Sequence, residues 1–99
     1  MEWFVNVTEE AEADLKFLRR RHRKVYQQAA ELIGNLELRA DTMGDSCEPP
    51  LSGVRRLHFW NDEYRLVWNV MPDDRRTDVW AVGRKTSRFY EDVARRLNL

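Results

Sequence analysis

The side chains able to do chemistry gather in the second half of the chain. His58 has Arg56 two positions before it, and Arg65 follows just past the dipeptide Asn61-Asp62. Residues two apart on a strand share a face, so Arg56 and His58 project together if residues 54–60 are extended. An imidazole titrates near neutrality and can accept a proton. Guanidinium groups match phosphate oxygens in a planar fork. A polar surface holding one imidazole and two guanidiniums, backed by aromatic side chains, suits a phosphodiester better than a neutral ligand.

Two hairpins must position these groups. Tyr64, Leu66, Trp68 and Val70 alternate at period two, the pattern of a half-buried strand. Asn61-Asp62 is a turn signal. A two-residue turn there sets Leu57 opposite Leu66 and Phe59 opposite Tyr64 on a buried face. His58 then lies opposite Arg65 on the other face. Strands are expected at 54–60, 64–71 and 77–83, with Pro72-Asp73-Asp74 as the second turn. In the last strand Lys85 shares parity with Ala81 and Gly83. If Trp80 and Val82 face the core, Lys85 joins the His58 surface. Trp68 and Trp80 are both expected in the core.

Upstream, residues 3–7 are β-prone, and Thr8 can cap a helix over 9–20 whose first turn carries Glu9, Glu10 and Glu12. Tyr26, Ala29, Ala30, Ile33 and Leu36 form the apolar stripe of a second helix over 23–38. Residues 39–53 lose periodicity and are expected as a surface loop. Phe89, Val93 and Leu97 mark a terminal helix over 88–97. The expected order is β-α-α-β-β-β-α. It describes one α+β domain over residues 1–99, with two N-terminal helices packed on a mostly antiparallel four-stranded sheet and a C-terminal helix.

Composition narrows the class. No apolar run approaches the roughly 18 residues of a membrane span, and the acidic start MEWFVNVTEE has no signal-peptide core. The lone Cys47 offers no internal disulfide and no metal spacing. These features lead us to expect a cytoplasmic protein. Net charge is zero, yet residues 1–53 carry seven basic and ten acidic side chains, against ten and seven in residues 54–99. The positive surplus therefore falls on the half holding the proposed site, where local field steers a polyanion.

The ordered set PLSG, YRLVW, VGRK and FYEDVARRL resembles the RelE/ParE superfamily of bacterial toxins. The likeness is strongest from Pro50 to Leu97; the first half matches in pattern only. The resemblance implies a type II toxin neutralised by a cognate antitoxin. Its RelE branch enters the ribosome and cuts mRNA without metal or other cofactor, the message's 2′-hydroxyl attacking the adjacent phosphate. The ParE branch instead poisons DNA gyrase. The expected activity is the nuclease; the alternatives are a ParE-like gyrase inhibitor without nuclease chemistry and a degenerate member that only binds its antitoxin or nucleic acid.

Carried onto this chain, the family's basic pair falls on Arg56 and His58, where RelE has lysines. Its arginine after a tyrosine falls on Arg65. Its strand-end base falls on Arg84 or Lys85, and its aromatic on the final helix on Tyr90. Such cleavage needs a base, cations for transition-state charge and an acid for the leaving oxygen. His58 is the base candidate, and Arg56 and Arg65 hold phosphate. Lys85 or Tyr90 is the acid, since arginine stays charged; Tyr90 could instead stack on a base. Trp60 shares parity with His58, so it either stacks on a base or packs on the loop. Arg19, Arg20, Arg21, Arg23 and Lys24 either contact ribosomal RNA or form a solvated helix junction. Arg65 could alternatively pair with Glu63 or Asp78.

Overall fold

The first helix begins where the sequence supplies a cap. Thr8 Oγ1 accepts the Ala11 N–H at 3.2 Å and donates to the Val79 carbonyl at 2.9 Å, tying the helix start to the sheet. In this computed structural model, which describes residues 2–99, β1 (Phe4–Val7) leads into α1 (Glu9–Arg21) and α2 (Arg23–Arg39). Then come β2 (Asp45–Ser46), β3 (Val54–Phe59), β4 (Tyr64–Met71), a 3-10 turn at Pro72–Asp74, β5 (Arg76–Arg84) and α3 (Phe89–Arg96).

Acidic residues in the first turn of α1 and arginines in its last complement the helix dipole. The first turn of α2 has no acidic residue and instead carries Arg23 and Lys24. That arrangement opposes the dipole by roughly 0.3–1 kcal/mol per charge. Val25, Ala29 and Leu36 are buried along α2, and Trp68 Nε1 donates to the Ala40 carbonyl at 2.8 Å, closing the helix end onto the sheet.

The sheet runs β1-β5-β4-β3-β2, with β1 parallel to β5 and every other pair antiparallel. It has five strands rather than the expected four. The extra one, β2, arises inside the segment expected to be loop. Arg55 gathers it in, donating to the Met43 and Gly44 carbonyls at 3.0 Å each and to Ser46 Oγ at 3.1 Å. Gly44 is required there, with φ of +67° and space for a Cβ only 2.1 Å from the Arg56 carbonyl oxygen.

Two cores flank the sheet. On one face α1 and α2 bury Leu18, Val25 and Leu36 against Phe59, Leu66, Trp68, Val79 and Val82. On the other, α3 and the 47–54 segment bury Phe89, Val93, Cys47, Leu51 and Val54 against Val67 and Ala81. β5 carries an irregularity: Val67 pairs with Ala81 while its neighbour Trp68 pairs with Val79, leaving Trp80 as the extra residue of a bulge. Trp80 is consequently half-buried and joins neither core, a correction to its expected place beside Trp68.

β1 covers only Arg76–Val79 of β5, so the rest of that edge is open. Side chains cap it. Asp14 Oδ2 accepts the Val82 N–H at 3.0 Å, and Arg96 Nη1 donates to the Trp80 carbonyl at 2.9 Å. The same two side chains form a bidentate pair at 2.6 and 3.1 Å, which fastens α3 to α1.

Candidate functional site

The β3–β4 register sets His58 opposite Arg65, Leu57 opposite Leu66 and Phe59 opposite Tyr64, the pairing expected from the turn position. Arg65 in turn lies opposite Gly83 of β5. Arg56, His58 and Arg65 thus project from the α3 side of the sheet. The guanidinium carbon of Arg56 sits 5.8 Å from the Tyr90 ring centroid. Arg56 also lies beside Cys47, whose thiol is pushed above its ordinary range chiefly by burial, with Arg56 and Arg55 acting the other way.

Arg65 is only 8 % exposed. Its Nη1 donates to the Asp62 carbonyl at 2.5 Å and the Tyr64 carbonyl at 3.1 Å, while its buried Nε has no hydrogen-bond partner among the described residues. Neither Glu63 nor Asp78 pairs with it among the described residues; Asp78 is engaged by Arg76 and Asn6. A buried guanidinium without a carboxylate leaves net positive charge beneath this face.

The turn is tight. Glu63 N–H donates to the Trp60 carbonyl at 3.1 Å, and Asn61 and Asp62 have φ of +54° and +68°, as a type I′ turn requires. The turn also brings the Asp62 side chain to the site, a residue the sequence marks only as part of the turn. Asp62 Oδ1 lies 3.1 Å from His58 Nδ1. A carboxylate only accepts, so His58 carries its hydrogen on Nδ1 in this contact and presents Nε2 outward from the pair. The spacing of four across a two-residue turn was the available signal.

The remaining side chains divide. Lys85 follows the parity of Gly83 and donates its N–H to the Glu63 carbonyl at 2.8 Å, which places it on the His58 face. The bulge precedes Ala81, so the parity from Ala81 through Gly83 to Lys85 is unbroken although Trp80 is not in the core. Arg84 lies opposite Tyr64 and so belongs to the α1–α2 face; it lines a recess of about 240 Å3 at the open β5 edge with Asp14, Asp92 and Arg96. The Tyr90 phenol oxygen is buried without a hydrogen-bond partner among the described residues, its ring edge-on to Phe89 at 5.1 Å. Trp60 has left the His58 face. Its φ of +53° breaks strand alternation, and its ring packs against the α1–α2 core and edge-on to His22 at 5.3 Å.

The basic run occupies the α1–α2 junction. Lys16, Arg19, Arg20 and Arg23 line an open recess of about 610 Å3. Arg19 and Arg21 lean on the Tyr26 and Phe17 rings. His22, within the junction, touches Trp60, so this cationic surface adjoins the hairpin carrying His58. Among the described residues no group of three or more His, Cys, Asp or Glu side chains is placed to hold a metal ion.

No protein-family model matches the sequence, and no curated protein matches it. Solved structures do. A variant of the Escherichia coli toxin RelE in its free state superposes with a TM-score of 0.74 at 19% identity, covering 98% of this chain and 99% of that one. The RelBE2 toxin–antitoxin complex of Mycobacterium tuberculosis gives 0.71 at 20% identity, covering 86% and 100%. The ParDE toxin–antitoxin system of P. aeruginosa gives 0.68 at 19% identity, covering 86% and 98%. The resemblance noted in the sequence therefore extends to the whole architecture: this chain has the RelE/ParE toxin fold.

Proposed function

We propose that the chain is the toxin of a type II toxin–antitoxin system, acting in the cytoplasm as a ribosome-dependent, metal-independent mRNA endonuclease. One observation carries this reading: an exposed, carboxylate-bound imidazole shares a sheet face with two arginines that have no carboxylate partner among the described residues. That is an arrangement for an anion whose neighbouring hydroxyl must lose a proton.

In the proposed step, His58 Nε2 takes the proton of the 2′-hydroxyl. The oxygen attacks the adjacent phosphorus, and the bond from phosphorus to the 5′-oxygen breaks. The leaving oxygen receives a proton from the acid, giving a 2′,3′-cyclic phosphate and a 5′-hydroxyl. Arg56 grips the phosphate. Arg65 contributes charge from beneath, stronger for its burial. Lys85 is favoured as acid over Tyr90, because its side chain is exposed while the phenol oxygen is buried. The cationic junction at Lys16, Arg19, Arg20 and Arg23 serves ribosomal RNA phosphates, and the dipole-opposing charges at the start of α2 fit that use.

A cognate antitoxin is the expected partner, since similar solved structures include toxin–antitoxin complexes. The similarity to ParDE supports a second reading, a gyrase inhibitor without nuclease chemistry. Translation in vitro with the purified protein separates them. Codon-positioned cuts bearing 2′,3′-cyclic phosphate ends support the nuclease. Intact message with inhibited gyrase supercoiling supports the second reading.

A further inference from the structure

Arg65 is more deeply buried than a phosphate-gripping residue needs to be, and its Nη1 is already committed to two backbone carbonyls. One of them belongs to Asp62, a residue with φ of +68° whose carboxylate holds the His58 ring. The type I′ turn requires that conformation, which aspartate tolerates better than most residues, and the Arg65 donor adds a tie from the sheet to the turn's backbone. The Asp62 side chain is 79% exposed and that of His58 37%, so the ion pair by itself is weak. It gains direction from the buried guanidinium that pins the turn from inside. The three groups form a chain: Arg65 guanidinium to Asp62 carbonyl, then Asp62 carboxylate to His58 Nδ1.

We propose that Arg65 and Asp62 are positioning residues for His58, the first fixing the turn and the second fixing the ring as its Nδ1–H tautomer so that Nε2 meets the substrate. The inference rests on the nuclease reading for what Nε2 does, but not for the geometry. It changes the role of Arg65: its main effect on cleavage runs through the imidazole rather than through a fork on phosphate. It also explains why the base can sit on a hairpin tip, where an unsupported ring would sample many orientations. Holding it near a productive geometry is what orienting groups contribute.

The direct test is the 15N spectrum of the His58 ring in the full chain at alkaline pH. The wild type is expected as the Nδ1–H tautomer. Asp62→Ala and Arg65→Ala are each expected to return the ring to Nε2–H, whereas Asp62→Asn, whose amide oxygen still accepts, retains Nδ1–H. If Arg65→Ala does not fold, Arg65→Met keeps the packing of the stem and removes only the donors. Single-turnover cleavage of ribosome-bound message should fall on the order of tenfold in Asp62→Ala, with affinity for the message unchanged, and recover largely in Asp62→Asn. A wild-type ring already Nε2–H, or a tautomer indifferent to Arg65, overturns the proposal. If no variant and no wild type cuts message while the tautomers behave as expected, the positioning chain stands and the nuclease reading falls.

Discussion

Removing Arg96 probes what holds α3, and with it the Arg56–Tyr90 contact, in place. Arg96 and Asp14 side chains are 17% and 21% exposed and meet through two hydrogen bonds. Arg96 also caps the Trp80 carbonyl, and Asp14 the Val82 N–H. Asp14 holds the guanidinium above its already high ordinary range. Hydrogen bonds to charged groups contribute about 1.5–3 kcal/mol, and breaking a fully buried pair costs about 3–5. This pair is mostly but not wholly buried, so Arg96→Ala should cost about 2–3 kcal/mol. The more exposed Glu10, 3.6 Å away, adds little. For a domain of this size that corresponds to a fall in Tm of about 10–20 °C. Urea unfolding of Asp14→Ala, Arg96→Ala and the double variant closes a thermodynamic cycle. Coupling above about 1 kcal/mol is expected. Strict additivity, or a loss below about 0.5 kcal/mol, would refute the claim that this pair seals the open β5 edge.

Gly44→Ala should cost about 2–5 kcal/mol in the same assay, since it combines left-handed strain with overlap on the Arg56 carbonyl; a loss under about 1 kcal/mol would mean that β2 shifts freely. Cys47 should react slowly with Ellman's reagent in the native protein and fast in urea, because it is buried and its titration is raised. A raised folded-state value makes its contribution to stability complete below the unfolded value of about 9 and progressively lost as pH rises beyond it. Cys47→Ala should lack that alkaline decline, and an identical decline would assign it elsewhere. Replacing Arg20 and Arg23 together should lower the slope of log K against log salt for RNA binding by about 1.4–1.8, at 0.7–0.9 per phosphate contact; an unchanged slope would make them solvated charges.

Much of the site was legible in the sequence because alternation and a two-residue turn fix register. Once Asn61-Asp62 is the turn, His58 must face Arg65. What escaped depended on departures from ideal strands. Trp60 lies in left-handed conformation, so parity with His58 no longer predicts its side. Trp80 is a bulge residue, and no local signal marks which residue of β5 is left unpaired. β2 is two residues long and is held by Arg55 rather than by any pattern of its own. The Asp62–His58 contact escaped because Asn61-Asp62 reads as a turn, and a turn signal does not say where the aspartate side chain lands. Choosing Lys85 over Arg84 needed the β4–β5 register, which depends on where the bulge falls.

The most direct test of the central claim is the single-turnover rate at which purified protein cuts ribosome-bound message, compared between wild type and His58→Ala. With the imidazole as base, the variant should be slower by roughly 10²–10⁴, bind ribosomes as tightly, and leave residual products with the same 2′,3′-cyclic ends. Equal rates in the two proteins would contradict the assignment of chemistry to this face of the sheet.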